Sequence, residues 1–149
     1  MKKLIAIAIM SLANIAGAEN WTVVSESTDG IRLLIDTDSL TIQEWADKTA
    51  PTNKIPWAIA SFVYFKTGEG PSDPVLFTTK LQSCDNKGGE VILEEKDNTS
   101  KFHITSRFWW SVNGKRVYDD VGQALCLLTD AKLQDMQPKS NKNKHKDNI

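Results

Sequence analysis

Cys84 and Cys126 are the only cysteines in this 149-residue chain, and together they constrain its fold more than any other feature. Paired, they close a loop of about 43 residues and restrict the unfolded chain by about 4 kcal/mol in the chain-entropy treatment. That is a large share of the roughly 5 to 15 kcal/mol by which domains are usually stable. Whether they pair depends on the redox compartment, and the N-terminus speaks to that. Lys2 and Lys3 precede a mostly apolar stretch, Leu4 to Ala16, which is broken by Ser11 and Asn14 and followed by Gly17-Ala18. A positive start, a short apolar core and small residues at its end form a secretory leader, residues 1–18, with cleavage expected before Glu19. The stretch falls short of the roughly 20 residues a bilayer-crossing helix needs, so no transmembrane anchor is expected after cleavage. In an exported chain two cysteines are read as a disulfide. The sequence offers no Cys-x-x-Cys and no histidine spacing that would make them a redox pair or a zinc site.

Charge excludes one partner class. Removing the leader removes two lysines and no acid, which leaves 16 basic and 19 acidic side chains. Four lysines against two aspartates lie in 134–149, so the body, 19–133, carries a net charge of −5. Such a body has no positive surplus with which to grip a phosphate backbone, and nucleic acid is not an expected partner. The tail lacks an apolar period and reads as disordered and Lys-rich. The body is long enough to bury a genuine core as a single domain without a metal or cofactor.

From Trp21 onward, short apolar-rich runs alternate with turn residues, the pattern of an antiparallel β domain. Strands are expected at Trp21 to Glu26, Ile31 to Asp36 and Leu40 to Ala46. A long loop follows, and then the strongest strand, Trp57 to Lys66, which is apolar on both faces and so central. After a Gly- and Pro-rich loop, further strands are expected at Val75 to Cys84, Glu90 to Lys96, Phe102 to Val112 and, across an Asn113-Gly114 turn, Lys115 to Tyr118. Beyond Tyr118 the period changes. Asp119 or Asp120 can cap a helix in which Val121, Ala124, Leu125 and Leu128 recur at helical spacing. Cys126 borders that stripe, so a bridge to Cys84 pins the helix to the sheet. The expected fold is therefore α+β: a meandering antiparallel sheet of six or seven strands with one C-terminal helix tethered by the disulfide.

Several of these segments, in this order, are similar to the surface-adhesin protein E-like family. They are Trp21 near the mature start, Ile35 to Leu40, Leu76 to Cys84, Phe108-Trp109-Trp110, and Asp120 to Cys126. The resemblance covers most of the body and implies the same architecture, a small antiparallel sheet with a disulfide-tethered terminal helix. It also implies secreted or envelope proteins, the named adhesin binding host extracellular proteins and haem. This chain departs from the family in having Ser111-Val112-Asn113-Gly114-Lys115 where a Pro-Gly-Ser stretch is common, and in lacking a lipid-attachment cysteine in its leader.

Catalytic patterns are missing from the sequence: there is no Gly-x-Ser-x-Gly, no His-Glu-x-x-His and no phosphate-cradling glycine loop. Strand alternation places His103 on one face with Thr105, Arg107 and Trp109, opposite Phe102, Ile104 and Phe108, and it reads as a polar-face residue. Asp36-x-Asp38 opens like a calcium loop, but Thr41 and Asp47 stand where glycine and glutamate belong. No catalytic residue, metal or cofactor is expected. The aromatic residues say more. They concentrate on three strands, and Phe108-Trp109-Trp110 cannot all face one core. Either both sheet faces are covered, by helix, loops or the second subunit of a homodimer, or exposed rings anchor a partner. Trp109, Trp110 and Tyr64 are the candidate partner-binding residues. The expected function is a non-enzymatic binding module of the bacterial envelope, adhesin-like and engaging protein partners. The alternative is a periplasmic inhibitor or immunity protein that blocks an envelope-targeting enzyme.

Overall fold

The computed structural model describes residues 20–46 and 52–137; the leader and most of the Lys-rich tail lie outside the described residues. Eight strands form one antiparallel sheet. They are β1 (Trp21–Glu26), β2 (Ile31–Asp36), β3 (Thr41–Ala46), β4 (Lys54–Lys66), β5 (Gly70–Pro71), β6 (Val75–Lys80), β7 (Gly88–Lys96) and β8 (Phe102–Ser111), with helices α1 (Leu81–Asp85) and α2 (Val117–Met136). The sheet order is β1-β2-β4-β6-β7-β8, with β3 and β5 also paired to β4. The eighth strand, beyond the expected six or seven, is the two-residue β5 inside the Gly- and Pro-rich loop. The 13-residue β4 is the spine. Its second half pairs with β2 and its first half with β3 along the same edge, because a 3-10 turn at Thr37–Ser39 redirects the chain between the two. Pro56 is tolerated in β4 because it lies beyond the last residue paired with β6, where only β3 flanks the strand.

Strand registers sort the side chains onto two faces. Leu33, Ile35, Ala58, Ala60, Phe62, Val75, Phe77, Val91, Leu93 and Trp110 share one face and form the core with Val121, Leu125 and Cys126 of α2. Phe62 and Phe77 meet edge to face, with ring centroids 4.9 Å apart. The face away from α2 has a buried centre of Leu34, Ile59, Val63 and Ile92. Thr78 is buried among them, and its hydroxyl is without a hydrogen-bond partner.

The disulfide joins Cys84 to Cys126, with Cα atoms 5.4 Å apart, and so ties α2 to the sheet as expected. Its local setting differs from the expectation: the run after Val75 leaves the ladder at Lys80, and Cys84 sits in the short helix α1. A second difference is at Lys115 to Tyr118, which form no strand. The chain turns through Val112-Asn113, closed by the Gly114 N–H bond to the Ser111 carbonyl, and α2 already starts at Val117. The cause is Asp119, whose fully buried carboxylate accepts hydrogen bonds from the backbone N–H of Ser111 and of Arg116 (2.8 Å each) and from the Arg116 guanidinium at 3.0 and 3.2 Å. Reaching back from the third helical position, it closes the first turn as a capping box does. These donors hold the Asp119 carboxyl down at about 2, the Arg116 guanidinium contributing most. At its other end α2 runs on to Met136, so Gln134 to Met136 belong to the helix and not to the tail.

Gly122 lets α2 lie directly on the Trp110 indole: a Cβ there would stand 2.1 Å from a ring carbon. Tyr118 stacks on Phe108 with centroids 3.5 Å apart. Gly30, with φ +80°, makes the β1–β2 turn.

Candidate functional site

Of the three rings expected to meet a partner, Trp110 is buried, Tyr64 is half-buried and Trp109 is largely exposed. Trp110 is 1% exposed; it points under α2 and donates its indole N–H to Thr79 Oγ1 at 3.3 Å, so it is a core residue. Tyr64 pairs with Leu33 on the helix-covered side and packs against the core, where burial pushes its phenol above the usual range. Trp109, the residue before Trp110 in β8, is 67% exposed on the opposite face.

That opposite face carries a band of aromatic and charged side chains across one end of the sheet. Trp45 of β3 and Trp57 of β4 pack at 5.6 Å between centroids with planes tilted by 41°. Lys80 of β6, register partner of Trp57, places its ammonium 5.2 Å from the Trp57 ring centre, within reach of its negative π face. Glu90 of β7 is the register partner of Trp109 in β8, and both of its carboxylate oxygens accept from Arg107 Nη1 at 3.1 Å. Three strand spacings separate Trp57 from Trp109, about 14 Å. A shallow depression of about 600 Å³ lies beside Trp109, lined by Lys80, Asn86, Lys87, Glu90 and Ser111 among others. The band is thus aromatic at both ends and charged between them, with Trp45 and Trp109 exposed at its limits.

A bulge corrects the expected alternation in β8. Leu93 pairs with Ser106 but Glu94 pairs with Ile104, so Thr105 is the extra residue and everything before it changes face. Ile104, expected opposite Trp109, joins the Trp109 face and is 49% exposed. His103 moves off that face and bonds Asp97 at 2.8 Å with both side chains partly in solvent. The pair lies at the far end of β8 from Trp109. Among the described residues, no group of three or more His, Cys, Asp or Glu side chains is placed to hold a metal, and no helix is long and apolar enough to cross a membrane.

A second concavity was not legible in the sequence: a cleft of about 510 Å³ between β1 and α2. Comparison with protein-family models, with curated proteins and with solved structures gives no match to this chain.

Proposed function

We propose that the protein is an exported, non-enzymatic binding module of the bacterial envelope, adhesin-like in use, which engages a protein partner through the Trp45–Trp57–Trp109 face of its sheet. The observation that carries this is Trp109, an indole 67% exposed yet held within the paired part of β8, opposite Glu90. Rings of this kind, with arginine beside them, dominate the energetics of protein interfaces. Covering the exposed part of the indole, on the order of 150 Å², is worth about 4 kcal/mol before the costs of association. The Arg107–Glu90 pair and Lys80 supply the polar border that such hot spots have. The disulfide, which persists in oxidising compartments, supports export to the periplasm, cell surface or medium.

The test uses the mature protein as bait on envelope and host-matrix extracts, beside Trp109→Ala and a control, Leu127→Ser, on the other side of the molecule. A protein retained by the wild type and by the control but lost with Trp109→Ala is the expected result. Identical retained sets for all three baits would overturn the assignment of this face.

A further inference from the structure

The helix-covered side contains a gap that folding does not close. α2 is anchored toward β6 and β8, where Gly122 lies on Trp110, Asp119 clamps the preceding loop and Cys126 is bonded to Cys84, and toward the start of β3, where Lys132 donates to the Leu40 carbonyl. Along the same side α2 also reaches the edge strand β1, to which its first turn is joined by the Ser25–Asp120 hydrogen bond. Between them lies the 510 Å³ cleft, walled by Val24 and Ile35 of the sheet and by Ala124, Leu127 and Leu128 of α2. Its volume is that of a small-molecule site. Because a covalent bond and a buried ring set the spacing, the cavity exists before any ligand arrives. Leu127 stands 58% exposed at its lip, an apolar side chain for which an occupant would supply the missing contact.

The cleft has one charged end. Among the described residues Asp120 is the only charged one that lines it, and its Oδ2 accepts the Ser25 hydroxyl at 2.7 Å. A carboxylate with one such bond retains acceptor capacity and no donor. The positive end of the α2 dipole does not favour a further anion there, since Asp119 and Asp120 both occupy the first turn. The body's net charge of −5 acts in the same direction. From Asp120 to Leu127 the helix rises about 10 Å, which sets the length of the apolar part.

We propose that this cleft binds an elongated amphiphile, with an apolar body about 10 Å long lying between β1 and α2 and a cationic or hydrogen-bond-donating head at Asp120. This site is separate from the tryptophan face, on the other side of the sheet, so either can fail without the other.

The experiment is calorimetric titration of the mature protein with octylammonium, 1-octanol and octanoate. Octylammonium is expected to bind saturably at one site, at least about tenfold more tightly than octanoate, a modest gap for opposite against like charge. Ala124→Trp, which fills the cleft, should abolish binding, and Asp120→Asn should erase the preference for ammonium over octanoate. Gln123→Trp serves as the filling variant if Ala124→Trp does not fold. Amide shift changes on octylammonium addition should be confined to β1, β2 and α2. Absence of saturable binding, binding that survives the filling variant, octanoate binding as tightly as octylammonium, or shifts centred on Trp109 would each overturn the proposal.

Discussion

Replacing Asp119 by asparagine should cost more than any other single polar change, and the cost should depend on pH in a defined way. The carboxylate is fully buried and receives two backbone and two guanidinium donors. Its folded pKa is about 2, against an ordinary 3.8. At ~1.4 kcal/mol per unit, the depression corresponds to roughly 2 kcal/mol of stability, an upper figure because the Arg116 side chain lies in solvent, where screening weakens the pair. A depressed pKa contributes stability that is fully present above the unfolded value and is lost as pH falls through the folded one. Urea unfolding at pH 7 should therefore show Asp119→Asn destabilised by about 2 kcal/mol, a gap that narrows from about pH 4 toward pH 2 as the wild-type carboxylate takes up its proton. A gap that stays constant across that range would refute the charge argument, and no gap at pH 7 would refute the clamp.

Gly122→Ala should cost about 2 to 3 kcal/mol, read as a lowered urea midpoint, because the new methyl meets the buried Trp110 ring and neither the helix nor the ring has room to move. Thr78→Val should raise stability by up to about 1 kcal/mol in the same assay, since it removes a buried hydroxyl that has no partner and keeps its shape. Trp109→Ala should change stability by less than about 1 kcal/mol despite the size of the side chain, because the ring is mostly in water; a larger loss would mean that the ring is packed and not available to a partner.

The sheet was legible because short apolar-rich runs alternate with turn residues, because β4 is apolar on both faces and so reads as central, and because Gly30 marks its turn without ambiguity. The helix and its covalent tether were legible from a change of period and a cysteine count. What escaped depends on residues distant in sequence. The Asn113-Gly114 turn does not lead into a strand because Asp119 draws Arg116 and Ser111 into a helical cap, a choice decided by one buried carboxylate. Cys84 reads as strand because no turn residue stands between Val75 and Asp85, while the end of the ladder is set by where β4 and β7 stop pairing. Phe108-Trp109-Trp110 announced that one ring must face outward; which one follows only from Gly122, twelve residues beyond Trp110, making room for an indole. The bulge at Thr105 carries no sequence mark and moves Ile104 and His103 to the opposite faces. The β1–α2 cleft is a gap between elements 95 residues apart at the Ser25–Asp120 bond, and no local pattern encodes it.

The most direct measurement is peptide mapping by mass spectrometry, without reduction, of protein purified from its native compartment. A single linked peptide pair containing Cys84 and Cys126 is the predicted result, with the α2-covered core and the outward tryptophan face following from it. Two unmodified thiols would contradict both the export of this chain and the anchoring of its helix.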